Sequence, residues 1–295
     1  MIQPFRPLSS YLPAIPELPI RLDQQLLSRL FKAVYPFFSQ PRPLVSVLQE
    51  GFTDAHNVAI QNIFLKGLSE GGMIFCSKAY TTYLCNLYVM HESIEKAQPS
   101  FVFPELFRSE KLLNDIKMWS MFNELAPTFA DLEISEEFRQ KVASLAEPPA
   151  HELAAHIHAL NEENPLYVIG PSFALYGTIL SGGQSVKKGV KQGFMERIED
   201  LEEEATSLLK IQIQADPTAF ETQSEKSVSF FSFSEKHYLI KSQWHKILNT
   251  TSTHLTRKER CFFEAKLIAE VNYATLVLLE TIASMLQTLK KEKTK

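Results

Sequence analysis

Apolar residues recur at three- and four-residue spacing along most of the chain, which places them on one face of an α-helix. Strict alternation of apolar and polar residues, the pattern of a half-buried strand, is almost absent. The pattern therefore predicts an all-α protein. The predicted helices cover residues 22–38, 46–67, 74–96, 109–122, 135–145, 150–160, 166–209, 235–248 and 256–289.

Two of these helices begin with the spacing of a capping box, in which two side chains three residues apart bond each other's free backbone N–H groups. The pairs are Ser46 with Gln49 and Thr256 with Glu259. Gly67 is expected to end the helix that begins at Ser46, because glycine is a poor helix former.

The helix predicted at 166–209 contains a stretch, Leu175 to Gln184, that holds three of the ten glycines of the chain. Each glycine inside a helix costs roughly 1 kcal/mol relative to alanine. Gly177, Gly182 and Gly183 therefore predict a bend, or a place where the backbone passes close to something flat or bulky.

The distribution of proline sets the N-terminal part of the chain apart from the rest. Half of the sixteen prolines lie between Pro4 and Pro43, and none of the glycines does. Because proline fixes φ and removes a backbone donor, most of residues 1–45 is expected to be extended, apart from the helix at 22–38. The predicted organisation is an N-terminal arm at 1–45, a helical domain at 46–289 and a charged tail at 290–295.

Composition excludes several classes of protein. A net charge of −4 and a pI near 6.1 argue against a general nucleic-acid-binding surface, which needs clustered positive charge. The three cysteines have no CxxC spacing and read as reduced thiols among apolar neighbours. No run approaches about 20 uninterrupted apolar residues, so no membrane span is expected, and without a secretory signal the expected location is cytoplasmic.

Six short motifs follow one another along residues 46–289. They are Thr53-Asp54-Ala55-His56; Asn86-Leu87-Tyr88 through Glu95; Phe103-Pro104-Glu105 with Arg108, Asp115 and Trp119; Leu180-Ser181-Gly182-Gly183-Gln184 with Lys187 and Lys188; Phe230 to Phe233 with Lys241 and Asn249; and Glu264 to Lys266 with Asn272. In this order they resemble the biliverdin-producing heme oxygenases. The motif Leu-Ser-Gly-Gly-Gln also occurs in ABC-transporter ATPases, but no GxxxxGK[ST] loop accompanies it here.

The resemblance implies a heme-oxygenase-like multi-helical bundle with a kinked distal helix, with heme as its cofactor. His56 matches the proximal heme ligand, and a neutral imidazole on a helix is a common iron ligand. Ile60 stands where the family often has a carboxylate that orients this ring. Gly182 and Gly183 match the distal glycines that face the heme.

On the distal side this sequence departs from the family, which has Gly-Asp before Leu-Ser-Gly-Gly-Gln. That glycine lets backbone lie on the heme, and the aspartate holds a water network that delivers protons. Without a gap these positions are Thr178 and Ile179; a shift of one residue pairs them with Gly177 and Thr178. The aspartate is missing in either case. His91 lies where the family has a tyrosine, and it is a candidate proton donor.

Lys241 and His245 match basic residues that hold the heme propionates, with His245 in place of an arginine. The resemblance also implies an electron-donating reductase, with Lys187 and Lys188 as docking charges. If active, the protein would cleave heme to biliverdin, carbon monoxide and iron.

Two alternatives stay open. The first is a family member without catalysis, acting as a heme carrier or as an interaction protein through the 1–45 arm. The second is a diiron or small-molecule enzyme of the wider superfamily, suggested by His151, His156 and His158 with Glu152 and Glu162. Their i, i+5, i+7 spacing does not place the three histidines on one helical face.

Overall fold

The computed structural model of the chain describes residues 42–69, 77–120, 133–199 and 225–293. Within them the chain forms ten α-helices and three short 3₁₀ turns and contains no strand, which confirms the predicted all-α class. The helix predicted at 22–38 lies outside the described residues.

The helices are numbered in chain order. They are α1 (Leu44–Ile60), α2 (Ile63–Ser69), α3 (Ser77–Ala97), α4 (Ser109–Ser120), α5 (Glu136–Ser144), α6 (Pro148–Glu163), α7 (Ile169–Ser181), α8 (Gly183–Glu199), α9 (His237–Thr251) and α10 (Arg257–Lys293). The 3₁₀ turns are Pro104–Leu106, Pro165–Val168 and Ser229–Phe231.

The start and end predicted for the first long helix are wrong. Pro43, not Ser46, occupies the cap of α1, and no side chain caps it there. The helix stops at Ile60, and Asn62 starts α2 by accepting from the Phe64 N–H at 3.0 Å. An asparagine at this position competes with the helix for backbone N–H groups, so it ends one helix and caps the next. Gly67 therefore lies inside α2 rather than at a helix end.

The capping box predicted for the last helix is confirmed. The Thr256 N–H donates to Glu259 Oε2 at 2.9 Å, and the Glu259 N–H donates to Thr256 Oγ1 at 3.4 Å. These two bonds satisfy donors that the first turn of α10 would otherwise leave open.

The long helix α10 is the central support of the fold, since α1, α3, α6 and α7 all pack against it. Two glycines allow α1 and α7 to approach closely. A Cβ on Gly51 would lie 2.5 Å from Ile268, and one on Gly170 would overlap Glu270 and approach the Leu267 carbonyl oxygen at 3.1 Å. The positions at which α1 and α7 contact α10 therefore lie within one turn of each other along α10.

The α10 helix is also the one helix in the described parts that is long and apolar enough to cross a membrane, over Arg257–Thr288. The criterion of about 20 uninterrupted apolar residues did not single it out. In the structure 56% of its apolar window is buried. The neighbours that bury it are other helices of this chain, as is usual for the core helix of a helical domain.

The helix predicted at 166–209 is interrupted at the glycines, because α7 ends at Ser181 and α8 begins at Gly183, and we call this junction the bend. Gly182 between them keeps right-handed helical angles, with φ −89° and ψ −21°. Its N–H still bonds the Thr178 carbonyl at 2.9 Å. This junction therefore does not need the left-handed conformation available to glycine.

Two of the cysteines lie in the described residues, and both are free thiols. Cys85 is fully buried on α3, where burial raises the pKa of its thiol to about 12. Cys261 is half-buried near the start of α10, so it is less enclosed than expected.

Candidate heme-binding site

One face of α7 lacks large side chains at its C-terminal end. At 100° per residue, Gly177, Thr178, Ser181 and Gly182 fall within about 140° of the helix surface. Thr178, Ser181 and Gly182 are exposed and Gly177 is partly exposed. We call these four residues the open face of α7.

The two glycines of the open face are not required by the packing of the protein itself. Among the described residues, a Cβ on Gly177 would meet nothing within 4 Å, and one on Gly182 would meet only the Thr178 carbonyl oxygen at 3.7 Å. Neither glycine has a positive φ. Because each costs helix stability without serving the fold, together they form a patch of bare backbone suited to an external group.

Gly183 has a different position from Gly182. A Cβ there would lie 3.1 Å from the Phe231 ring and 3.5 Å from Ile179 Cγ2, so this glycine serves internal packing. Ile179 and Tyr176 are buried on the same side of the helix. The structure therefore places Thr178 on the open face and turns Ile179 inward, away from it.

The hydroxyl of Thr178 is already engaged. It donates to the Ala174 carbonyl of the preceding turn at 2.7 Å, a bond that occupies the hydrogen of many helical threonines. The remaining hydroxyl on the open face, that of Ser181, accepts from Lys241 Nζ at 2.8 Å. Neither side chain of this face carries a charge, so the described structure gives it no acid or base of its own.

His56 is exposed on α1, one turn beyond Phe52. The two rings lie 5.3 Å apart between centroids, and Phe52 contacts Phe173 of α7 edge-on at 6.4 Å. The Phe52–Phe173 contact joins α1 to the helix that carries the open face. The imidazole of His56 therefore remains available to a ligand near that contact.

The basic residues expected near the propionates lie on α9, which packs against both α1 and α7. Lys241 reaches the end of α7 through its bond to Ser181. His245 is half-buried beside Trp244, with ring centroids 6.1 Å apart. Burial, together with the charge of Lys241, lowers the pKa of the His245 imidazole, so it is mainly neutral at pH 7.

His91 lies inside the protein. It is fully buried on α3, between the rings of Tyr176 at 4.9 Å and Phe230 at 5.5 Å. Neither ring nitrogen has a hydrogen-bond partner among the described residues. Burial, with a smaller contribution from Arg108, lowers the pKa of this imidazole to about 3. The ring is neutral at pH 7 and enclosed by other side chains, which does not favour the role of proton donor that the sequence suggested.

Sequence reasoning missed a polar cluster behind α7. Glu95 accepts from the backbone N–H groups of Arg108 and Ser109, at 2.5 and 3.1 Å, and so caps the start of α4. The Tyr176 hydroxyl reaches the same carboxylate at 3.5 Å. Burial raises the pKa of the Glu95 carboxyl, although the hydrogen bonds from Arg108 and Ser109 act to lower it. The signal available in the sequence was Glu95 itself, which ends the second of the six motifs.

The histidines suggested for a diiron site do not converge. His151 bonds the Ala143 carbonyl at 3.1 Å, His156 bonds Glu270 at 2.6 Å, and His158 is exposed. In the described ranges no group of three or more His, Cys, Asp or Glu side chains is arranged to hold a metal ion. The diiron alternative therefore has no structural support there.

The two lysines after the bend also differ from each other. Lys187 pairs with Glu225 at 3.0 Å, and Lys191 pairs with the same carboxylate at 2.6 Å. Lys188 is exposed. Of the proposed docking charges, Lys188 is therefore the one with its side chain directed to the surface.

An exposed histidine on one helix and a bare-backbone face on a second helix, both supported by a central helix, define an all-α bundle with a candidate ligand site. Sequence comparison identifies the family. A model of the heme oxygenase family matches residues 42–276, and the chain belongs to this family. A search of curated proteins found no match to the chain.

Solved structures agree with this assignment at the level of the fold. Heme oxygenase-2 from Synechocystis, crystallised with heme and NO, is 18% identical, with a TM-score of 0.61 over 85% of this chain and 88% of its own. Heme oxygenase-1 from Synechocystis, crystallised with heme, is 18% identical, with a TM-score of 0.60 over 86% and 96%. Heme oxygenase from Leptospira interrogans is 19% identical, with a TM-score of 0.55 over 82% and 98%.

Proposed function

We propose that this protein binds heme between α1 and the open face of α7, with His56 as the iron ligand. The observation that carries the proposal is the patch of bare backbone at Gly177 and Gly182, which close packing against the described residues does not require. A flat macrocycle is the kind of ligand that bare helical backbone can approach closely. The heme complexes of the two Synechocystis relatives support the same choice of ligand.

The remaining residues fit the group in distinct roles. His56 offers an exposed imidazole, and the neutral ring is the form that ligates iron. Lys241 offers a cation to a propionate carboxylate, while the neutral His245 offers a weaker, uncharged hydrogen bond. Gly183 contributes indirectly, because it lets α8 lie against Phe231 and so sets the course of the bend.

Bound heme would supply the redox chemistry, whereas the chain binds it, orients it and controls access to its distal side. Thr178 places a methyl group and an already bonded hydroxyl on that side, and Ile179 is turned away from it. These groups do not transfer protons near pH 7. The geometry therefore supports heme binding directly, and ring opening to biliverdin only with protons delivered by solvent.

A second candidate function is heme carriage without turnover. The observation that favours it is the same uncharged distal surface, since the family carboxylate is replaced by an inward-facing Ile179 in one alignment and by Thr178 in the other. Under this candidate the protein binds and releases intact heme.

Titration with heme tests the binding proposal. We expect a Soret band that saturates at one heme per chain, and its loss or a marked weakening in His56→Ala. The matched control is His158→Ala, since His158 is an exposed histidine on α6. Equal Soret bands in all three proteins would contradict the role of His56, and no saturable binding by the parent would contradict heme binding itself.

The same samples separate enzyme from carrier. After addition of a reductant and air, conversion of the Soret spectrum to that of a bile pigment would support ring opening. A stable heme spectrum, with transfer to apomyoglobin, would support carriage.

Several finer assignments are part of the proposal. If the protein turns heme over, it needs a separate reductase, for which the exposed Lys188 is a candidate docking charge. The 1–45 arm is proposed as a surface for a protein partner. Cytoplasm is the proposed location.

A further inference from the structure

Residues 227–233 cross one face of α4 and are held there by four side chains spaced three or four residues apart. Arg108 and Lys111 donate to the Ser232 carbonyl at 3.3 and 2.6 Å, Asp115 accepts from Ser229 and Phe230, and Trp119 Nε1 donates to the Ser227 carbonyl at 2.9 Å. This spacing places all four on one side of the helix. We call residues 227–233 the clamped segment.

Asp115 is the centre of this arrangement. Its Oδ1 accepts from the Ser229 N–H at 2.8 Å and from the Ser229 hydroxyl, and its Oδ2 accepts from the Phe230 N–H at 3.0 Å. The side chain is fully buried. A buried carboxylate with three donors is costly to alter, because any loss of a partner leaves a polar group unsatisfied.

The clamped segment in turn holds the start of α8. The Phe231 ring occupies the space that a Cβ on Gly183 would need, at 3.1 Å. Gln184 Nε2 donates to the Phe231 carbonyl at 3.1 Å. These contacts fix the first turn of α8 on the side opposite to the open face.

We propose that Asp115 is a positioning residue that, through Ser229 to Phe231, holds the first turn of α8 and with it the bend at Gly182. The effect of Asp115 on ligand affinity rests on the proposed heme function. The series of contacts from Asp115 through Ser229 to Phe231 and on to α8, which we call the contact chain, does not. Asp115 touches no part of the open face and acts only through the clamped segment.

The electrostatic surroundings give this role a pH signature. Burial raises the pKa of the Asp115 carboxyl to about 7, against the hydrogen bonds from Ser229 and Phe230 and the charge of Lys111. Besides Lys111 on its own helix, Tyr80 faces it from α3, and the clamped segment presents the Ser229 hydroxyl and backbone N–H groups. Above the pKa the carboxylate accepts all three bonds; below it, the added proton removes part of that capacity.

Hydrogen exchange without heme tests the contact chain. The Ser185 and Val186 N–H groups both bond the Gly182 carbonyl, at 3.0 and 3.4 Å, so their exchange reports on the bend. In Asp115→Asn we expect exchange at both amides to be at least tenfold faster, because asparagine turns an N–H₂ group toward one of the donors. Glu110→Gln is the matched control, since Glu110 is an exposed carboxylate on the same helix. It should leave both amides unchanged.

A second variant separates the contact between Asp115 and the clamped segment from the contact between that segment and α8. Gln184→Ala removes the bond to Phe231 but leaves Asp115 with its partners. We expect faster exchange at Ser185 and Val186 without faster exchange at the Phe231 N–H, which bonds the Val228 carbonyl at 3.1 Å. If Asp115→Asn does not yield folded protein, this variant still tests whether the clamped segment holds α8.

Heme affinity supplies a readout that a general loss of stability would not move. In the parent we expect affinity to rise more steeply with pH through about 7 than in Asp115→Asn, where binding above that pH should also be about fivefold weaker. Unchanged exchange at Ser185 and Val186 in Asp115→Asn would overturn the proposal, whatever the heme result. If exchange is faster in Asp115→Asn but the parent binds no heme, the positioning role is supported and the heme function is overturned.

Discussion

The imidazoles of His56 and His91 have opposite surroundings although both belong to long, largely apolar helices. His56 is exposed beside Phe52, and His91 is fully buried between two aromatic rings. A helical histidine with apolar neighbours looks the same in either case in the sequence. At the residue scale, the neighbours contributed by other helices decide which histidine can bind a ligand.

His91 yields a stability prediction. Replacing it with leucine removes two buried nitrogens that lack partners among the described residues, so the free energy of unfolding at pH 7 should rise by about 1 kcal/mol. The folded-state pKa of about 3 lies below the ordinary value of 6.5. The parent therefore loses stability as pH falls from 6.5 toward 3, and the advantage of His91→Leu should grow by about 1.4 kcal/mol per pH unit in that range.

Urea unfolding of the two proteins at several pH values measures this difference. His158→Leu serves as control, because His158 is exposed and should show little pH-dependent difference from the parent. A constant difference between His91→Leu and the parent across pH 6 to 4 would contradict the buried, neutral state of His91.

At the scale of elements, glycines inside the helices have two separate uses. Gly51 and Gly170 seat α1 and α7 on α10, where a Cβ would collide. In the part of the chain that the structure describes, Gly177 and Gly182 meet no such neighbour and leave a surface bare. The sequence predicts that glycine disturbs a helix, but it does not say whether another helix or a ligand occupies the space.

The two uses predict opposite effects of alanine. Gly170→Ala should lower the free energy of unfolding by about 1 to 3 kcal/mol, because the added Cβ overlaps Glu270. Gly177→Ala should raise it by up to about 1 kcal/mol, since alanine favours helix and no described residue lies within 4 Å of the added Cβ. Gly177→Ala should at the same time weaken heme binding by about tenfold. Denaturant unfolding and heme titration measure the two quantities, and a Gly177→Ala protein with unaltered heme affinity would contradict the location of the site.

Element boundaries were predictable where a local side-chain signal acts alone. The capping box of Thr256 and Glu259 starts α10 as expected. At Ser46 the same spacing failed, because Pro43 already begins the helix one turn earlier. Asn62 then divides a stretch whose apolar periodicity continues across the break. Periodicity reports the buried face of a helix, and a single capping residue can interrupt it.

At the scale of the whole molecule, α10 connects the parts of the proposed site. It supports α1, which carries His56, and α7, which carries the open face. A ligand that bridges these two helices would stabilise the folded protein over the unfolded chain. The size of this effect depends on ligand concentration relative to its dissociation constant.

Heme at a hundredfold excess over its dissociation constant should stabilise the parent by about 2.7 kcal/mol. For a chain of this size, this corresponds to a rise in Tm on the order of 5 °C. The rise should be much smaller in His56→Ala. Metal-free protoporphyrin is the control, because it keeps the flat ring but has no iron for His56, and should shift both proteins by the same small amount. Equal shifts of parent and His56→Ala by heme would contradict ligation by this histidine.

The sequence by itself determined the helical class, the family, the bend near Gly182 and the identity of His56 as the candidate ligand. Helical periodicity and short motifs carry that information, because both are local properties of the chain. Tertiary structure decided which side of α7 is open, that Ile179 and Gly183 face inward, that His91 is buried and neutral, and that Asp115 bonds Ser229 and Phe230. These features depend on contacts between residues more than a hundred positions apart in some cases, as for Asp115 and Phe230, and no local pattern encodes which distant residue fills a given space.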